Sequence, residues 1–123
     1  MEGGLTVMDA TLPRAGIVRR RSDLKRVMKT GAKAAGALLS LRYSPRPEPD
    51  FPPRRVAFLL PGTIRGSIAR NRLKRRLREA YRRNQRRFPA GFDFLFFVRP
   101  EAVRAGYAEL EAGLLALAGR VKS

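Results

Sequence analysis

The stretch Ala69-Arg70-Asn71-Arg72-Leu73-Lys74-Arg75-Arg76-Leu77-Arg78-Glu79-Ala80-Tyr81-Arg82-Arg83 decides how this chain is read. It sits within residues 65–87, which hold ten Arg and one Lys against a single acid, Glu79, so that this segment carries +10 of the chain's formal +17. No Gly or Pro interrupts residues 69–87, and the residues there are mostly good helix formers. At helical spacing Leu73, Leu77, Ala80, Tyr81, Asn84 and Phe88 share one stripe, while Arg70, Lys74, Arg75, Arg78 and Arg82 point elsewhere. The spacing predicts a helix with a narrow apolar seam docked on a scaffold and a broad guanidinium face left in water.

Charge of that density repels itself unless it meets a polyanion: nucleic acid, a lipid surface or an acidic protein. A membrane-surface helix needs a wide face of bulky apolar residues, and this stripe is only wide enough to pack on a sheet. Arginine forks match phosphate oxygens in pairs and stack on bases, which an ammonium does not. Nucleic acid is the partner that the composition favours.

Working outward, strands are expected on both sides of the helix. Arg54 to Leu60 reads as a buried strand, closed by Pro61-Gly62-Thr63, and Phe92 to Val98 as another, closed by Arg99-Pro100. Strand, helix, strand in that order implies a crossover between roughly parallel neighbours. Upstream, residues 1–18 are expected to be a flexible basic N-terminal arm, with one domain over residues 19–123. Ser22-Asp23 offers an N-cap for a short helix over residues 23–30, closed by Gly31, with Leu24, Val27 and Met28 as its core face. Residues 33–43 read as one strand region with Leu39, Leu41 and Tyr43 on one side. Residues 44–53, with five prolines, read as a loop. Tyr107, Leu110, Leu114, Leu117 and Val121 give the last helix one apolar face and no evident chemistry.

The rest of the composition narrows the chemistry. The 123 residues suit one domain. There is no Cys and no His, so disulfides, thiolate zinc sites and the commonest general base are absent. A protein nuclease is expected to cluster carboxylates around divalent metal. Here the acids are scattered, and the pairs Glu48/Asp50 and Glu109/Glu111 read as surface charge. No apolar run approaches the roughly 18 residues of a membrane span and no signal-peptide core is visible, so a soluble, cytoplasmic protein is expected. The charge sums are +5 for residues 1–33, +2 for 34–64 and zero for 88–123. The polyanion face is therefore expected from the N-terminal part and the Arg-rich helix.

The pattern Arg70-Asn71-Arg72-x-Lys74-Arg75-x-x-Arg78-Glu79 resembles the signature of the bacterial ribonuclease P protein component. Asp23-Leu24-x-x-Val27-Met28-Lys29-x-Gly31 stands where that family has a short helix, Phe94 to Pro100 resembles its last strand, and Tyr107-Ala108-Glu109-Leu110 the opening of its terminal helix. The resemblance spans residues 17–120. It departs in two places. The family's two aromatic positions in the first helix are Leu24 and Met28 here. The glycine of the turn before the signature is displaced, with Arg65 where it is expected in Gly62-Thr63-Ile64-Arg65-Gly66-Ser67-Ile68.

The resemblance implies an α+β domain of order αβββαβα, with a central sheet and a left-handed crossover helix carrying the Arg-Asn-Arg motif. It implies a protein subunit of a ribonucleoprotein endonuclease that matures the 5′ end of tRNA. The catalytic residues and the Mg²⁺ would belong to the RNA subunit, with no metal site in the protein. Arg70, Asn71, Arg72, Lys74, Arg75, Arg78 and Arg82 would face that RNA, Asn71 either capping a turn or bonding a base or sugar. Glu79 would pair with Arg75, Arg82 or Arg83. A cleft between the first helix and the sheet, with Leu24, Val27, Met28, Lys29, Arg42 and Tyr43, would take the 5′ leader of precursor tRNA. Partners are thus ribonuclease P RNA and precursor tRNA, with no membrane and no DNA expected. Two other readings stay open on the bare sequence: a structural RNA-binding protein of the ribosome, and a DNA binder placing the Arg-rich helix in the major groove.

Overall fold

The structure is a computed structural model that describes residues 6–7, 18, 20–46 and 54–121. In chain order the elements are β1 (Thr6–Val7), α1 (Arg21–Thr30), β2 (Ala32–Ala35), β3 (Leu39–Pro45), β4 (Arg54–Leu60), α2 (Ser67–Asn84), β5 (Phe92–Val98) and α3 (Tyr107–Ala118), with 3-10 turns at Gln85–Arg87 and Pro100–Arg104. The α+β class and the αβββαβα order hold, preceded by the two-residue β1. The strands form one sheet in the order β1-β4-β5-β3-β2. β4 and β5 are parallel, Val56 opposite Phe94 and Phe58 opposite Phe96, and every other pairing is antiparallel.

Alternation along the strands sorts side chains between two unequal cores. Leu39, Leu41, Tyr43, Val56, Phe58, Leu60, Phe94, Phe96 and Val98 belong to the larger one, beneath α2 and α3. Its centre is aromatic: Phe58 stacks on Phe96 at 5.1 Å, and Phe88 meets Phe94 edge-on at 5.1 Å. Ala57, Leu59 and Leu95 face the other way and meet Val27 of α1 and Val18. Because β4 and β5 are covered on both faces, they read as apolar runs rather than alternating ones.

Several boundaries differ from expectation. The single strand region over residues 33–43 is a hairpin, β2 against β3, with Ala35 opposite Ser40 and Gly36-Ala37-Leu38 making the turn. Ala and Lys in β2 carry no strong period, so pattern alone does not separate the strands. α1 starts at Arg21, and Ser22 and Asp23 do not cap it; Arg20 stands at the N-cap, in extended geometry and with no side-chain cap bond. Asp23 lies instead in the first turn, where a carboxylate suits the helix dipole. Gly31 closes α1 through close approach, since a Cβ there would lie 2.4 Å from the Val27 carbonyl oxygen. Gly66 enters α2 with φ +91°, a left-handed geometry that disfavours side chains; the displaced glycine is where this turn needs it.

The N-terminal arm needs correction where it is described. Thr6 pairs with Leu60 and Val7 with Leu59, and Val18 is buried while its backbone N–H donates to the Val56 carbonyl. Residues 1–18 also hold only Arg14 against Glu2 and Asp9, so the basic charge begins at Arg19 and not within the arm. The other residues of the arm, and 47–53 of the proline-rich segment, lie outside the described residues. β3 itself extends through Pro45 into what reads as loop.

Candidate nucleic-acid interface

α2 forms as its stripe dictates, with Leu73, Leu77, Ala80 and Tyr81 buried against the sheet. The helix ends at Asn84, a 3-10 turn follows, and Phe88 drops back into the core fully buried. Burial pushes the Tyr81 phenol pKa upward, and its hydroxyl has no hydrogen-bond partner among the described residues.

The outward cations of α2 divide into those used by the fold and those presented to solvent. Asn71, Arg72, Arg75, Arg82 and Arg83 are exposed, and Lys74 and Arg78 are half-buried. Arg70 is not simply presented: its Nη1 donates to the carbonyls of Pro61 at 3.0 Å and Ile64 at 2.7 Å, tying α2 to the turn that precedes it. Arg76 likewise donates to the Ala105 carbonyl at 2.7 Å. Asn71 lies in the second turn of a helix that begins at Ser67, which excludes the capping role. Glu79 accepts a forked pair of bonds from Arg82, at 3.1 and 2.7 Å. That contact holds the Glu79 carboxyl below its usual range and the Arg82 guanidinium above its own.

The opposite face of the sheet carries a cleft of about 820 Å³ between α1 and the strands. Its apolar walls include Leu24, Met28, Leu59, Leu95 and Phe97, and Arg21, Lys25, Lys29 and Arg42 supply its positive charge. Of the expected core face Val27 is buried and half-buried Leu24 packs against the smaller core while also lining the cleft, whereas Met28 departs from it at 43% exposed. Arg42 donates to the Met28 carbonyl at 2.6 Å, and its guanidinium carbon sits 5.9 Å from the centre of the Phe97 ring. Of the six residues expected along a leader cleft, Leu24, Met28, Lys29 and Arg42 line it. Val27 lies beneath it in the core, and Tyr43 is on the wrong face. Tyr43 follows Arg42 by one residue, so strand alternation sends it into the larger core against Phe92 and Phe94.

What holds α1 over the cleft is a residue that the sequence reading passed over. Asp93, on β5, is fully buried on the α1 side of the sheet. Its carboxylate accepts two bonds from Arg55, both at 2.7 Å, and a further short bond from Arg26 of α1. Arg26 also donates to Ser44 Oγ and the Pro45 carbonyl, each at 2.8 Å, and Asp23 lies 3.4 Å from Arg55. The hydrogen bond to Asp93 is the main reason the Arg55 pKa rises. The available signal was a lone acid inside an apolar strand, Phe92-Asp93-Phe94, which is uncommon unless the acid is paired.

A family model described as "Ribonuclease P" matches residues 12–122. The chain belongs to the ribonuclease P protein family. A ribonuclease P protein component from Acidothermus cellulolyticus is 32% identical over 110 residues, covering 89% of this chain and 91% of the relative. One from Alkaliphilus oremlandii is 32% identical over 100 residues, covering 81% and 85%. Among solved structures, the RNase P protein from Thermotoga maritima superposes with a TM-score of 0.75 at 24% identity, over 87% of this chain and 98% of that one. That from Staphylococcus aureus gives 0.77 at 19% identity, over 87% and 95%. These two similarities establish the shared fold.

For this family member, the described residues offer no group of three or more His, Cys, Asp or Glu able to hold a metal ion. The Asp93 carboxylate is committed to guanidiniums. No helix is long and apolar enough to cross a membrane among the described residues.

Proposed function

We propose that this chain is the protein subunit of a cytoplasmic ribonuclease P, binding a catalytic RNA through α2 and the 5′ leader of precursor tRNA through the α1 cleft. The observation that carries the reading is the exposed side of α2, where Arg72 and Arg75 stand in water on a helix whose other side is locked into the core. Free guanidiniums on a rigid element suit phosphate recognition, because the docked helix spends no further ordering on binding. The cleft suits a single strand: its apolar floor can meet base faces and its cations the backbone. Bond cleavage is assigned to the RNA subunit with its Mg²⁺. The residues here bind and orient, and no carboxylate cluster for a metal ion lies among the described residues. Family membership favours this reading over a ribosomal structural role.

Reconstitution with ribonuclease P RNA tests it, by assaying 5′ maturation of precursor tRNA at low Mg²⁺. The protein should increase cleavage over RNA alone, and Arg72→Ala/Arg75→Ala should remove most of that increase while the circular dichroism stays native. With six to ten phosphates neutralised, affinity for the RNA should fall about 10³–10⁵-fold between 50 and 200 mM salt. A protein that leaves the RNA's rate unchanged at low Mg²⁺ would sink the reading.

A further inference from the structure

A second concavity lies at the far end of α2. It has a volume of about 590 Å³ and is lined by Arg54, Arg82, Arg83, Arg86 and Arg87 together with Asn84 and Gln85, with no acidic side chain in its wall among the described residues. The chain is steered into it by packing. Phe88 is fully buried, its ring 5.8 Å from Tyr81 and 5.7 Å from Phe96, so the 3-10 turn that precedes it is pulled toward the sheet. Arg54, the first residue of β4, donates from Nε to the Phe88 carbonyl and brings a fifth guanidinium from a distant part of the sequence. Arg86 and Arg87 are exposed on that turn. Arg82 is oriented at the rim by its fork onto Glu79.

We infer that this concavity is a second phosphate-binding site, one that holds the sugar–phosphate backbone of RNA; the inference rests on the chain being an RNA-binding subunit. The carbonyls ending α2 offset part of the repulsion among these cations, but five guanidiniums around one opening still form a focused positive field. Its complement is a polyanion with closely spaced charges. Forked donors match phosphodiester oxygens, while the Asn84 amide is engaged by the Ala80 carbonyl and Glu111 and the Gln85 amide by the Arg82 carbonyl, leaving recognition to the guanidiniums. The site is distinct from the Arg72 end of the helix. Arg72 and Arg83 are eleven residues apart, about 16 Å along the axis, or roughly five base-pair steps of a duplex. One helix thus presents two phosphate clamps to separate stretches of backbone.

The test measures affinity against salt concentration in two arms, one with a ribonuclease P RNA transcript and one with precursor tRNA. The proteins compared are the wild type, Arg86→Ala/Arg87→Ala, Arg72→Ala/Arg75→Ala, and a control, Lys33→Ala/Arg104→Ala, that removes two charges elsewhere. Arg54 is left intact because it supports the Phe88 carbonyl. Thermal melts should show all variants folded, since Arg86 and Arg87 are exposed. The salt slope of Arg86→Ala/Arg87→Ala should flatten by about one to two relative to the control, with affinity lower on the order of tenfold at low salt. The arm in which this happens identifies the RNA that the site holds. If this variant matches the control in both arms while Arg72→Ala/Arg75→Ala flattens the slope, the second site is overturned and the proposed function stands. If the wild type binds neither RNA, both fall.

Discussion

The two faces of the sheet treat arginine in opposite ways. On the α2 side the core is large, aromatic and closed, and Arg70 and Arg76 add charged donors to backbone carbonyls, while Arg72, Arg75, Arg86 and Arg87 are left exposed. On the α1 side the apolar cluster is small, and α1 is fastened by ions: Arg26 and Arg55 converge on buried Asp93, and Arg42 grips the Met28 carbonyl. One face leaves several cations in water, while the other commits Arg26, Arg55 and Arg42 to holding α1 in place. Counting guanidiniums therefore does not count available guanidiniums; each must be traced to its acceptor.

The largest expected effect breaks the ionic face. Asp93→Ala leaves Arg26 and Arg55 against an apolar wall without their carboxylate, and removing one partner of a buried pair costs about 3–5 kcal/mol. Urea unfolding should show that loss, and the α1 cleft should lose its affinity for leader RNA first. A loss below about 1 kcal/mol would mean that apolar contact alone seats α1.

The next effect divides two neighbours in the signature. Arg70→Ala deletes charged donors to two carbonyls and should destabilise the fold by about 1.5–3 kcal/mol. Arg72→Ala, at an exposed position, should change stability by no more than about 0.5 kcal/mol and yet weaken RNA binding, flattening the salt slope by about one. Paired denaturation and binding curves check this. Equal stability of the two variants would remove the distinction between a structural and a presented arginine.

The smallest effect sharpens the description of the cleft. Phe97 is the one aromatic side chain lining it among the described residues. Leu24→Phe/Met28→Phe adds two rings at the mouth. Stacking is worth about 1–3 kcal/mol per base, so the leader-dependent part of precursor tRNA affinity should tighten about fivefold or more. A leaderless substrate serves as the reference. No difference between substrates would indicate that bases do not stack on α1.

Much of the fold was legible in advance because its signals are local. The period of Leu73, Leu77, Ala80 and Tyr81, the apolar runs in β4 and β5, and the face of α3 each reflect burial on a regular element. The β2–β3 hairpin was not legible, because Ala-rich β2 has little alternation and its turn lacks a strong two-residue signal. Tyr43 was misplaced because being next to Arg42 in sequence means opposite faces in a strand. Asp93 was missed because its partners lie 38 and 67 residues away, at distances that periodicity does not carry.

By itself the sequence determined the class of this protein: an arginine-bearing helix between two apolar strands, without histidine or clustered acids, in the spacing of the family signature. These are properties of composition and short-range period. Only the tertiary structure decided which cations remain available. Whether a guanidinium faces water or a carbonyl depends on what other segments bring within about 3 Å of it, as Pro61 and Ile64 do for Arg70, and as none of the described residues does for exposed Arg72.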